Sequence, residues 1–233
     1  MTSFDRRGVL RLGAAALLSG CSVTETDRAQ AALRAISRFN DRAQAALFRS
    51  EVMAPLYPAS ALTLPFRFNA FYTEASVPEI DIAAWQLQVG GKVRDRAPWR
   101  LDAIKALPSI TQATRLVCIE GWSAVGQWTG VPLGLFLEHV GADTRAKYVG
   151  FRCADGYYTS IDMASALHPQ TQLAWGFAGA GELPEPFGYP LRLRIPTKLG
   201  FKNAKHLVEI FVTDDFPSGY WEDLHAYNWF AGL

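Results

Sequence analysis

The chain has 233 residues, 49% apolar and 12% aromatic, which is enough for one sizeable core and incompatible with a disordered or collagen-like polymer. Its 23 Lys and Arg balance 22 Asp and Glu, so no global positive field exists to hold nucleic acid through counterion release. Three cysteines are too few for a disulfide framework.

The first twenty residues stand apart from the rest. Asp5, Arg6, Arg7 and Arg11 make a charged start, and the short apolar stretch Leu12 to Leu18 ends at Ser19-Gly20-Cys21. This order reads as an export signal, since so short a stretch cannot span a hydrocarbon core that needs about twenty apolar residues. The paired arginines resemble a twin-arginine signal, a route for proteins exported already folded. Leu18-Ser19-Gly20-Cys21 resembles a bacterial lipobox, whose Cys becomes a lipid-bearing first residue. The alternative is a basic amphipathic N-terminus with a buried Cys.

Residues 27 to 33 and 41 to 47 repeat one heptapeptide, Asp-Arg-Ala-Gln-Ala-Ala-Leu, at an offset close to four helical turns, so both copies face the same way. With Leu33, Ile36, Phe39, Ala43 and Leu47 at helical spacing, the pattern predicts an amphipathic helix from Thr26 to Met53, stopped by Pro55 and Pro58. Residues 21 to 60 are expected to be an anchoring spacer or lid, and residues 61 to 233 a single domain. Further strands are expected at Trp85 to Val89, Thr114 to Ile119, Thr171 to Phe177, Leu191 to Ile195 and Leu207 to Thr213. Short helices fit Leu101 to Leu107 and Pro132 to Val140. Lys147 to Cys153 and Tyr157 to Ile161 form a hairpin around Asp155-Gly156. Many strands without regular strand-helix alternation argue for an α+β fold.

The chain contains no Gly-x-Ser-x-Gly, no phosphate-cradling Gly-x-x-x-x-Gly-Lys, and no Cys-x-x-Cys-His for haem attachment. Two features stand out instead. Cys118 lies at the expected end of a strand, before an uncharged stretch, Gly121 to Leu137, that reads as a loop rich in Gly and Trp. A thiolate so placed is a good ligand for a soft or redox metal; the competing readings are a buried core cysteine and a disulfide with Cys153. Between Glu185 and Glu209, Arg192, Arg194, Lys198, Lys202 and Lys205 occur without an acidic residue. These cations suit an anion such as a phosphate, or else form a solvated strand face.

Arg115-Leu-Val-Cys118-Ile-Glu120-Gly121-Trp122-Ser123 with Trp128-Thr-Gly130-Val-Pro132-Leu133, the run Pro190 to Pro196 with Gly200-Phe-Lys202-Asn203-Ala204-Lys205, and Asn69-Ala-Phe-Tyr72-Thr73 occur in that family's pattern: together they resemble the sulfite oxidase superfamily of molybdopterin enzymes, most closely its short bacterial branch of periplasmic protein-methionine-sulfoxide reductase catalytic subunits. The resemblance implies a mixed-sheet molybdopterin-binding domain without the extra dimerisation domain of larger members, hence a monomer. It implies a molybdenum-molybdopterin cofactor, with no haem in this chain. Cys118 is the implied metal ligand, with Asn69 and Glu120 near the metal as catalytic residues. Asn69, Tyr72, Thr73, Cys118, Cys153, Arg192, Asn203, Ala204 and Lys205 are the implied cofactor contacts. Glu120, if burial raises its pKa, or a bound water would relay a proton. Phe187 stands where that branch has Asn, and the sequence after Thr213 is unlike theirs. The activity implied is two-electron oxygen-atom transfer from a sulfoxide or similar oxo-substrate, small or protein-bound, with electrons from a separate membrane partner and a lipid anchor at Cys21 in the periplasm. Oxidation of sulfite at the same site is the second reading. A non-enzymatic periplasmic binding module with a Cys118 to Cys153 disulfide is the third. Tyr220, Trp221, Tyr227, Trp229 and Phe230 are expected either to pack as a C-terminal flap or to close a pocket.

Overall fold

The computed structural model describes residues 27–179 and 181–233; the expected export signal and Cys21 lie outside the described residues. The chain runs α1 (Asp27–Leu47), β1 (Gln88–Gly91), α2 (Leu101–Lys105), β2 (Ile110–Val117), β3 (Ser123–Pro132), α3 (Leu133–His139), β4 (Tyr148–Cys153), β5 (Tyr158–Asp162), α4 (Met163–Ala166), β6 (Gln172–Phe177), β7 (Arg192–Arg194), β8 (Leu207–Thr213) and α5 (Tyr220–His225). The strands form two four-stranded sheets. One, in the order β2-β3-β6-β7, is antiparallel throughout; the other, β1-β8-β4-β5, is mixed, because β1 runs parallel to β8. The α+β architecture with a mixed sheet expected from the sequence is therefore present.

The main core draws on both sheets and on α3, with Leu87, Val131, Phe136, Val149, Phe151, Leu173, Leu193, Leu207 and Ile210 removed from solvent. A second, aromatic cluster gathers Phe66, Trp128 and Phe177 with Leu116. Leu173 belongs to the first cluster and its neighbour Ala174 to the second, so the two-residue period of β6 packs both faces of the antiparallel sheet. Phe187, on a short 3-10 turn, adds its ring to this aromatic cluster beside Phe66 and Phe177.

Three expectations change. The stretch after Gly121 is not a loop but strand β3, paired along β2. Its glycines serve close packing: a Cβ at Gly130 would lie 2.2 Å from the Leu173 carbonyl oxygen, and one at Gly126 would press on Trp128, Phe177 and Phe66. The strand expected to run to Ile119 stops at Val117, leaving Cys118 and Ile119 in the turn that follows. Helix α1 ends at Leu47, before either proline, because the following backbone is claimed by the body. The ring of His168 bonds the Val52 carbonyl, and the Gln170 side chain both accepts from the Ala54 amide and donates to its carbonyl. Leu56 then bridges Thr114 of β2.

Candidate active site

A cleft of about 340 Å³ opens where the end of β2 meets the segment before β8, a size suited to a small organic ligand or cofactor. Cys118 follows the last residue of β2, and its amide donates to the Trp122 carbonyl while the Gly121 amide donates back to the Cys118 carbonyl. This tight turn needs a left-handed residue, supplied by Gly121 at φ +87°. Gly200 lies against the same turn: a Cβ there would meet the Val117 carbonyl oxygen at 3.2 Å and Cys118 Cα at 3.6 Å. The glycine lets the 3-10 turn Gly200–Lys202 approach the thiol-bearing loop closely enough to share one cleft with it.

Of the residues singled out in the sequence, Asn69, Tyr72, Thr73, Cys118, Glu120, Asn203, Ala204 and Lys205 all line this cleft. They come from three distant stretches of chain. Cys153 and Arg192 do not line it. Cys153 is buried in the core at the end of β4, and burial, then the Asp155 carboxylate, pushes its thiol pKa well up, against the opposing pull of Lys205. Arg192 lies behind the cleft wall, donating to the Phe187 and Asn203 carbonyls with its guanidinium 4.5 Å from the Trp128 ring centre. It holds Asn203 in place through the backbone. Cys118 and Cys153 are both free thiols, so the disulfide of the binding-module reading is not formed.

The thiol of Cys118 is half-buried, and its pKa is raised first by desolvation and also by the Glu120 carboxylate, against the downward pull of the Glu120 backbone amide and, more weakly, of Arg67. Sγ lies 3.8 Å from Glu120 Oε2, which also accepts from Trp122 Nε1 at 3.0 Å. Glu120 is exposed, so the buried carboxylate required for the expected proton relay is absent. The Arg67 guanidinium stacks on the Trp122 ring at 4.6 Å, a cation-π contact that fixes a second positive group at the mouth.

At the other end, Lys205 is 8% exposed, donates to the Pro186 carbonyl at 3.0 Å, and lies 4.5 Å from the Phe68 ring centre. Among the described residues no carboxylate forms an ion pair with it. Burial, followed by repulsion from Arg192, lowers its pKa to about 7. An anion entering the cleft would favour its charged form again. The other four cations of its segment behave differently: all are buried and bonded within the protein away from the cleft, with only the Nε atoms of Arg192 and Arg194 left without an acceptor among the described residues, so neither a solvated strand face nor a five-charge cradle exists. Arg194 donates to Asn203 Oδ1, Thr114 Oγ1 and the Arg115 carbonyl. Lys198 reaches the Phe230 carbonyl and Asp162, and Lys202 pairs with Glu222.

Sequence reasoning missed several walls of the cleft. Arg67 and Phe68 precede the Asn69 motif without a pattern of their own. Asp155 and Tyr157 enter from the β4–β5 hairpin, where Asp155 accepts from the Tyr72 hydroxyl at 3.0 Å; burial, then Asp155, raises the Tyr72 pKa. Trp221 and Tyr227 enter from α5 and the turn after it, stacked on each other at 5.5 Å with ring planes 15° apart. Both expectations for the C-terminal aromatics hold in part, since Trp221 and Tyr227 close the cleft while Phe230 is packed inside.

The chemistry of this donor set suits a metal carried by an organic, anionic cofactor. Among the described residues no group of three His, Cys, Asp or Glu side chains is placed to hold a metal by itself, so a metal at Cys118 takes its remaining donor atoms from a non-protein ligand. Such a ligand finds Asn69 and several aromatic side chains along the cleft and, at its far end, an ammonium with no ion-pair partner among the described residues.

A family model described as the oxidoreductase molybdopterin-binding domain matches residues 74–221. The chain belongs to this family. It is 53% identical, over 96% of its own length and 84% of the relative's, to a protein of Azospira oryzae named as a protein-methionine-sulfoxide reductase subunit, YedZ1. A protein-methionine-sulfoxide reductase catalytic subunit, MsrP, of Xanthomonas axonopodis pv. citri is 35% identical over 71% of this chain and 59% of that one. Among solved structures, the sulfane dehydrogenase SoxCD of Paracoccus pantotrophus superposes with a TM-score of 0.58 at 17% identity, covering 74% of this chain and 47% of that one, which marks a shared fold. The protein is a molybdenum-molybdopterin oxidoreductase of the sulfite oxidase superfamily.

Proposed function

We propose that this cleft carries out two-electron reduction of a sulfoxide, a methionine sulfoxide residue of a protein included. The observation that carries the reading is the gathering of Cys118, Asn69, Asn203 and Lys205 around one cleft; the names borne by the relatives from Azospira and Xanthomonas support the sulfoxide as substrate class. The molybdenum cofactor, when bound, supplies the two-electron oxygen-atom transfer. Cys118 offers its thiolate to the metal, which would lower a thiol pKa that the protein alone raises. Lys205 balances the anionic end of the cofactor, and Asn69, Tyr72, Thr73, Asn203 and Ala204 fix its orientation. Arg192 acts through Asn203 and Cys153 through the hairpin end it packs. Glu120 Oε2, held by Trp122, keeps a carboxylate beside the thiol and open to water, so a proton entering with substrate reduction passes through solvent at this atom.

In this reading the protein works as a periplasmic monomer held to a membrane through a lipidated Cys21, exported through the twin-arginine route, and re-reduced by a separate membrane electron carrier. Reduction of methionine sulfoxide and dimethyl sulfoxide with an artificial electron donor, measured beside sulfite oxidation with an artificial acceptor, tests it. Sulfoxide turnover without sulfite turnover is expected; the reverse would assign the site to the oxidising direction.

A further inference from the structure

Helix α1 is docked by the wrong face for an ordinary amphipathic helix. Its contacts with the body are polar: the Ser37 carbonyl accepts from Asn228, Asp41 accepts from the Phe230 amide at 2.7 Å, and Gln44 accepts from the Gly232 amide at 3.1 Å. These residues form one strip along the helix. The apolar arc beside it points to solvent, with Ile36 56%, Phe39 69% and Leu47 79% exposed and Leu33 nearly half exposed. Arg34, Arg38 and Arg42 occupy the side away from the apolar arc.

The exposed arc does not end with the helix. Leu47 also edges a groove of about 680 Å³ whose walls include Val52, Met53, Pro196 and Leu233, with Arg49 and Arg115 beside them. Val52, Met53, Leu56 and Leu233 are each half or more exposed. Among the described residues, the arc and the groove walls together hold seven of the fourteen strongly exposed large apolar side chains, well beyond the scattered singles usual on a soluble domain.

We infer that this surface, the apolar arc of α1 continued by the groove rim, lies in the headgroup and upper acyl region of a lipid bilayer bearing anionic headgroups. The helix has the pattern of an interfacial helix, apolar on one arc and arginine-rich on the far one. Arg49 and Arg115 place two guanidinium groups at the groove for lipid phosphates. Only five residues lie between Cys21 and Asp27, so a lipid on Cys21 would hold the start of α1 within about 20 Å of the membrane. This last point rests on the proposed anchor, whereas the exposed arc and the groove stand without it.

The test uses the mature chain with Cys21→Ser, which cannot be lipidated, in flotation with vesicles of phosphatidylcholine alone and of phosphatidylcholine with phosphatidylglycerol. The Cys21→Ser protein is expected to float with the anionic vesicles and less with the neutral ones. Adding Ile36→Asp and Phe39→Asp should lower the bound fraction about tenfold at unchanged circular dichroism and cofactor content. A lipidated wild type that floats while Cys21→Ser stays at the bottom with both vesicles would keep the anchor and overturn the inference. Binding unchanged by the double substitution would overturn it too, as would a solution dimer that the substitution dissociates, which would make a second copy the occupant.

Discussion

Two lysines three residues apart show how one stretch of sequence is divided between structure and ligand. Lys202 is fully buried and meets Glu222 on α5, the Ser160 carbonyl and Thr159. Lys205 is almost as buried, yet among the described residues its one hydrogen-bond acceptor is the Pro186 carbonyl, and it faces the cleft. The protein supplies a counter-charge to the first and leaves the second to whatever enters. Residue type and burial alone do not mark a binding group, and neither does a missing carboxylate, which Arg192 and Arg194 share; the missing carboxylate together with a place on the cleft does.

The sharpest way to break this contrast is to remove each ammonium in turn. Lys202→Met leaves the Glu222 carboxylate buried without its partner, and is expected to cost about 3–5 kcal/mol in urea unfolding. Adding Glu222→Gln should recover part of that loss, since a neutral amide is cheaper to bury than a lone carboxylate. A smaller effect is expected at Lys205→Met, which strands no acidic partner. Its unfolding free energy should not fall, since the substitution removes a buried ammonium that has no ion-pair partner, while cofactor retention during dialysis falls about tenfold or more. If Lys205→Met unfolded the protein as readily as Lys202→Met, the distinction between the two lysines would fail.

The smallest effect concerns pH. The Lys205 pKa is lowered to about 7 in the folded chain from an ordinary 10.5. Between those values the unfolded chain binds more protons at this group, so its contribution to stability rises with pH. The penalty is fully present below about pH 7 and fades as pH approaches 10.5. The melting temperature of cofactor-free protein relative to Lys205→Met should therefore climb over that window. Bound cofactor should erase the difference by restoring the charged form.

The same division explains what could be read without coordinates. The motif around Cys118 and the segment from Gly200 to Lys205 were legible as a family pattern, and the hairpin at Asp155-Gly156 because its turn needs a positive φ, +81° at Gly156. Strand β3 was misread because Gly126 and Gly130 suggest a loop, although they serve packing against Phe177 and Leu173. Helix α1 was not placed correctly at its end, since the bonds from His168 and Gln170 that claim the following backbone come from far along the chain. The roles of the cations were invisible for a similar reason: Glu222, Asp162 and the Phe187 carbonyl are brought to them only by the fold. Trp221 and Tyr227 were legible as aromatics but not as cleft walls.

The central claim is that Cys118 binds molybdenum in this cleft. Elemental analysis of the protein purified from a host that makes molybdopterin, beside Cys118→Ser and Lys205→Met, tests it most directly. The account predicts about one molybdenum per chain in the wild type, less in Lys205→Met, and loss of bound metal together with activity in Cys118→Ser. A folded Cys118→Ser protein that kept both its molybdenum and its full activity would contradict it.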